Sequence, residues 1–210
     1  MSDTVASSRR RETTRRRLLD AAAEVFAEVG MDAASVETIC DAAGFTRGAF
    51  YSNFASKEEL FFALVRLVAD ARVGGVREKV ATLEAEGPLE VTSRNAVEVV
   101  RHVLDIEPDD RFGVLLSNEI RIHALRDPDL AQAYLEQESA ICASVARLLD
   151  DVAGHNGMSF HLPSRDVARI LVTAWDSAAV RGVMAGLGQS ELARHIGDEL
   201  GSITAALLVD

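Results

Sequence analysis

Cysteine is scarce: Cys40 and Cys142 are the two cysteines among 210 residues, and neither belongs to a CxxC pair or a Cys/His cluster with metal-ligand spacing. That excludes a disulfide framework and a thiolate zinc site as organising features. The two thiols read as small core residues, with a redox-sensing pair as the alternative. Long apolar runs are missing as well. None approaches the roughly 18 to 20 residues that cross a bilayer, and the arginine-rich start lacks the apolar stretch and small-residue cleavage site of a secretory signal. A cytoplasmic chain with no membrane partner is expected. No segment alternates apolar and polar residues long enough to form a strand. Residues 65 to 210 hold no Ser/His/Asp arrangement, no metal cluster and no glycine-rich phosphate loop, so neither catalysis nor a cofactor is expected.

What is present is helical periodicity. With 48% hydrophobic and 26% charged residues, the chain can bury one good core or two modest ones. Apolar residues recur with a 3.6-residue period almost throughout, which predicts an all-α fold of about nine helices. The first is expected from about Thr13 to Val29, with Leu18, Leu19, Ala22, Val25 and Phe26 on one face and Gly30 as its stop. Ser35 is a good N-cap for a short second helix whose apolar positions Val36, Ile39, Cys40 and Ala43 fall at i, i+3, i+4 and i+7. Gly44 ends it, and Thr46 caps a third helix a few residues later. Two short helices joined by a tight turn containing glycine make a helix-turn-helix. Ser56 with Glu59 three residues on forms a capping box for a long fourth helix, which Gly74-Gly75 is expected to kink.

Later boundaries rest on punctuation. Gly87-Pro88 closes one region, a helix is expected from Ser93 to about Ile106, and Glu107-Pro108-Asp109 breaks it. The helix carrying FGVLLSNEIRIHALR stops at Asp127-Pro128, and a long one follows to about Val152. A loop spans Gly154 to Pro163. Ser164 and Ser190 cap the last two helices, which end near Gly186 and Val209.

The net charge of −11 argues against nucleic acid until its distribution is considered. Residues 1 to 62 carry 8 Lys+Arg against 10 Asp+Glu, whereas residues 63 to 210 carry 14 against 23. Six arginines, Arg9, Arg10, Arg11, Arg15, Arg16 and Arg17, stand just before the helix-turn-helix, where such a patch favours phosphate contact over a merely solvated helix end. On the third helix Phe50 and Phe54, four apart, point into the core. The opposite face is Arg47, Gly48, Tyr51 and Ser52: small, mildly basic, with one exposed aromatic. Such a face suits a major groove, because arginine bonds bidentately to guanine O6 and N7, glycine lets the backbone approach and tyrosine reaches a phosphate or sugar.

The stretch SVETICDAAGFTRGAFYSNFASKEEL resembles the signature of the TetR-type (TetR/AcrR-like) repressors: an apolar second helix, an Ala-Gly turn, a third helix with aromatic pairs and a Ser-Lys-Glu start to the fourth. The likeness covers residues about 13 to 64. It implies a three-helix DNA-binding domain over residues 1–56 and a helical effector-binding and dimerisation domain over 57–210. It also implies Arg47, Gly48 and Tyr51 at base or sugar edges, with Thr46, Ser52, Asn53 and Lys57 on phosphates and Ser35 in the same DNA-facing set. Lys57 would join the free amides opening the fourth helix around one phosphate. Two positions depart from the pattern. Asn53 stands where many relatives carry histidine, and Glu37 stands where some carry arginine; an acid there repels phosphate but can accept from cytosine N4.

For the second domain, Ala174, Ala178, Gly182 and Gly186 form a small-residue ridge, and Leu192, Ile196, Leu200, Ile203 and Leu207 form an apolar stripe. Together they predict a four-helix bundle across a two-fold axis, the alternative being that these faces complete the chain's own core. Polar residues interrupt two apolar faces: Glu119 and His123 beside Phe112 and Leu116, and Asp176 beside Trp175, Val172 and Val180. They are expected to line an effector cavity, or else to be paired structural groups at a domain seam. The resulting expectation is a homodimeric regulator that binds double-stranded DNA at a palindromic operator, a repressor released by a small lipophilic effector. The alternative is an architectural or nucleoid-associated DNA binder without an effector.

Overall fold

A computed structural model of the chain describes residues 2–86 and 111–209. Eight helices lie among them: α1 (Ser2–Val29), α2 (Val36–Ala43), α3 (Arg47–Tyr51), α4 (Lys57–Glu86), α5 (Arg111–Ala124), α6 (Pro128–Asn156), α7 (Ser164–Met184) and α8 (Gln189–Leu207). The described residues contain no strand, only an isolated antiparallel bridge between Phe160 and Leu208. The helix expected from Ser93 to Ile106 lies outside them.

Local chemistry explains the N-terminal boundaries. α1 ends at Gly30, whose φ of 81° is costly for any residue with a Cβ. The Ser35 side chain accepts from Thr38 N and opens α2. Gly44, at φ 70°, closes α2, its own amide bonding to Asp41 O and the Phe45 amide to Cys40 O. Thr46 accepts from Ala49 N and opens α3. Ser56 Oγ accepts from Glu59 N at 3.2 Å, and the Glu59 carboxylate reaches back to Ala55 N.

Elsewhere the boundaries differ from expectation. α1 begins at Ser2, well before Thr13, and α4 runs unbroken through Gly74-Gly75. Glycine lowers helix propensity by about 1 kcal/mol without breaking the backbone hydrogen bonds, so a pair of them inside a 30-residue helix does not end it. α6 continues to Asn156, and α8 opens at Gln189 with Gly188 as its cap, because the Glu191 carboxylate accepts from Gly188 N.

The chain divides into two compact units: Met1–Ala69 with Leu115–Tyr134, and Asp70–Val114 with Leu135–Asp210. The division falls within α4, α5 and α6 rather than at residue 56. In the first unit α1, α2 and α3 close over Leu18, Ala22, Phe26, Ile39, Phe50 and Phe54, and α4 adds Leu60, Phe61 and Leu64. α5 contributes Leu116, Ile120 and Ala124 to this same core. In the second unit Val145, Leu149, Val167, Leu171, Leu192, Ile196 and Leu200 form a separate core.

In the second unit the small-residue ridge has a partner within the chain. Ala178, Leu192, Ile196 and Leu200 are each 4% exposed or less in the single chain, and Gly182 is buried. A Cβ on Gly182 would run into the Leu192 side chain. Ala174 and Ile203 pack partly buried against the same cluster. The ridge therefore lets α8 lie close on α7, with Ala178, Gly182, Leu192, Ile196 and Leu200 buried within the chain.

Candidate nucleic-acid interface

The reading face is built from one buried ring and what surrounds it. Phe50 is fully buried and fixes α3 against α1 and α2, with Phe54 beside it at 5.9 Å and Tyr51 edge-on at 5.3 Å. With Phe50 turned inward, Arg47, Gly48 and Tyr51 turn out, and all three are exposed, Tyr51 to 51%. Thr46 is exposed too; its oxygen accepts from Ala49 N, leaving the hydroxyl hydrogen available for a phosphate. Ser35 is half-buried, paired with Thr38 through both hydroxyls. The Ser52 hydroxyl, exposed, donates back to Ala49 O at 2.8 Å.

Two residues expected on phosphates are committed elsewhere. Lys57 Nζ donates to Met31 O at 2.8 Å, Ala34 O at 2.8 Å and Asp32 O at 3.4 Å, so its three hydrogens tie α4 to the α1–α2 loop. The α4 amino terminus is capped from within as well. Ser56 takes the Glu59 amide, the Glu59 carboxylate takes the Ala55 amide just before the helix, and Glu58 is held below the usual carboxylate range by its own backbone amide and the Ser56 hydroxyl. Asn53 is 8% exposed and donates to Ala49 O at 2.8 Å. The side chain ties off the end of α3 instead of facing outward.

The arginine run divides by function. Arg11 donates to Ser52 O at 3.3 Å, Arg15 to Asn53 O at 2.9 Å and Arg17 to Ala43 O at 2.9 Å. These are the carbonyls left without helical partners at the ends of α3 and α2. Arg15 also lies 4.2 Å above the Phe54 ring and Arg17 4.8 Å above Phe45. Arg16 pairs with Asp20 along α1. Arg9 and Arg10 are exposed. Periodicity alone could not reveal that α1 uses arginines to cap the reading helices, because those contacts join residues 26 to 41 positions apart.

The expected effector residues divide between the two units. Leu116, Glu119 and His123 belong to the first unit, Phe112, Trp175 and Asp176 to the second. Glu119 Oε1 accepts from Met31 N at 2.6 Å and lies 3.2 Å from His123 Nε2, while the His123 ring packs on Phe61 at 5.0 Å. This acid and histidine are thus paired structural groups, joining α5 to the loop that Lys57 also holds. In the second unit a groove of about 510 Å³ is lined by Ala146, Asp150, Met158, Phe160, Leu162 and Arg165, among others, and by none of the six expected residues.

A fully buried Phe50 beneath an outward Arg47-Gly48-Tyr51 face, entered through a Gly44 turn, is a helix-turn-helix in geometry as well as in pattern. Residues 18–64 match the model of the bacterial regulatory proteins of the tetR family. The chain is similar to TetR-type transcriptional regulators. Among relatives, a transcriptional repressor of Mycobacterium tuberculosis is 28% identical over 177 residues, covering 84% of this chain and 83% of its own length. The regulator UidR of Escherichia coli is 25% identical over 185 residues, covering 88% and 86%. The repressor KstR2 of Rhodococcus jostii is 38% identical over 100 residues, covering 46% and 49%. Among solved structures, a TetR-family regulator from Mesorhizobium loti superposes with a TM-score of 0.72 at 21% identity over 95% of this chain and 99% of that one. GusR of Salmonella enterica gives 0.68 at 25% identity, over 93% and 95%. The likeness to solved structures therefore runs through both units, whereas the family model covers the helix-turn-helix region alone. No helix among the chain's described residues is long and apolar enough to cross a membrane.

Proposed function

We propose that this regulator is a cytoplasmic repressor that binds a palindromic operator as a homodimer and leaves it when a small, largely apolar molecule binds the second unit. The observation that carries the DNA-reading part is the outward face of α3: one long cation, Arg47, between a glycine and an exposed tyrosine on a helix pinned by buried Phe50. Such a surface admits close backbone approach and one guanine-seeking side chain. Arg47 and Tyr51 contact base or sugar edges, Gly48 allows the approach, and Thr46, with Ser35 and Ser52 at the flanks, faces phosphates. Repression follows the names of the Mycobacterium and Rhodococcus relatives. The dimer is held by the outer sides of α7 and α8, where the small exposed residues Thr173 and Ser177 lie, since the inner sides are occupied within the chain.

Linkage fixes the form of the effector test. A compound that lowers operator affinity must itself be bound more weakly by the same factor when operator is present, typically about 5- to 150-fold. Small lipophilic compounds that raise the melting temperature are to be titrated with and without operator, with Trp175 emission as the readout. Reciprocal weakening supports release by an effector. Stabilising compounds that leave operator affinity unchanged would remove the effector from the account and favour the architectural reading.

A further inference from the structure

The first turn of α2 places an acid on the reading face. Arg47 NH1 donates to Glu37 Oε1 at 2.6 Å, and both side chains remain 58% exposed. Tyr51 first, and Glu37 second, favour the charged form of that guanidinium. Surface ion pairs of this kind add little stability, about 0 to 1 kcal/mol, so the fold has small need of this one. It does need explanation in a DNA-binding face, where a carboxylate is repelled by every phosphate.

A guanidinium has five N–H donors in a fixed fork. Glu37 engages one terminal nitrogen and leaves enough of the fork to meet guanine O6 and N7 together. Holding a long side chain in one orientation also removes rotamer freedom that a free arginine would lose on binding, an entropy of about 2 kcal/mol at most. The carboxylate keeps acceptor capacity beyond the Arg47 bond, and in the major groove the donor suited to it is the cytosine N4 amino group. A·T pairs at the Arg47 position offer no O6/N7 pair of acceptors, so the Arg47 fork is lost there and, even where adenine N6 donates to the carboxylate, the repulsion by phosphate is offset less than at a G·C pair.

We propose that Glu37 is a specificity-determining residue: it aims Arg47 at guanine, accepts from a cytosine amino group, and penalises DNA lacking that G·C feature. This inference rests on the reading of α3 as the DNA-facing helix. It gives the acid two separable effects, one on base preference and one on affinity for all DNA.

The test compares the full-length wild type with Glu37→Gln, and with Arg47→Lys as a second variant, on duplexes selected by the wild type, on single-base-pair variants of them and on random duplex across a salt series. Glutamine keeps the side chain's size and removes its charge at an exposed position, so melting temperatures should match. Expected for Glu37→Gln are several-fold tighter binding to random duplex and a loss of discrimination at one base pair per half-site of roughly 5- to 150-fold, the ratio matching about 1 to 3 kcal/mol. Arg47→Lys keeps the charge but not the fork, and should lose discrimination at that same base pair. A Glu37→Gln protein that keeps its base preference, or whose specific and random affinities shift equally, overturns the inference while leaving the DNA-reading role of α3 in place. A wild type that selects no sequence overturns both.

Discussion

At the residue scale, what matters is where each donor already points. Lys57 carries a positive charge at the start of a helix, a position suited to phosphate, yet its ammonium is surrounded by three carbonyls of the α1–α2 loop. Replacing it by Met should cost about 2 kcal/mol of stability, the order expected for hydrogen bonds to a charged group. The salt dependence of binding to random duplex should stay as it is in the wild type. Chemical denaturation and a salt series on the same protein check both halves; a salt slope lower by about one would restore Lys57 to the phosphate backbone. The cysteines illustrate the same dependence on surroundings. Burial first, and neighbouring acids second, push both thiols up from their ordinary range, Cys40 beside Asp41 and Cys142 beside Glu138. Each shift favours the protonated thiol over the thiolate.

At the scale of elements, the sequence was most legible where a helix end is decided by its own side chains. Ser35, Thr46 and Ser56 as caps, Gly30 and Gly44 as stops, and Phe50 with Phe54 as core residues all follow from spacing and backbone chemistry within a few positions. What spacing cannot supply is the identity of a distant partner. The stripe on α8 was readable as a buried face, but not as one buried by the ridge on α7 rather than by a second chain. Glu119 and His123 were readable as polar groups on an apolar face, but not as neighbours of Met31 and Phe61, across 88 positions in the case of Met31. Asn53 and Lys57 belong to the same class. The ridge gives a direct check. Gly182→Leu should destabilise the second unit by about 1 to 3 kcal/mol through overpacking against Leu192, with no specific loss of dimer while the protein stays folded. Ser177→Trp, on the exposed side of α7, should keep the melting temperature and shift sedimentation toward monomer. The opposite pattern would return the ridge to the interface between copies.

At the scale of the whole molecule, nine of the eleven net negative charges lie beyond residue 62 in the sequence, after the helix-turn-helix. Within residues 1 to 62 three of the seven arginines tie helices together. Arg11, Arg15 and Arg17 cap α3 and α2, which concentrates direct reading on a few side chains around Arg47. A reading head so economical needs two copies to cover enough base pairs, and two-fold symmetry then demands a symmetric site. The most direct measurement is selection of bound fragments from random-sequence duplex by the purified full-length protein, repeated with Arg47→Ala. The account predicts enrichment of inverted half-sites whose centres lie about 34 to 36 Å apart or a multiple of that. It also predicts that Arg47→Ala weakens binding by about 1 to 3 kcal/mol and blurs preference at one base pair in each half-site. Enrichment of no sequence, or an Arg47→Ala protein that loses specific and random binding equally, would contradict it.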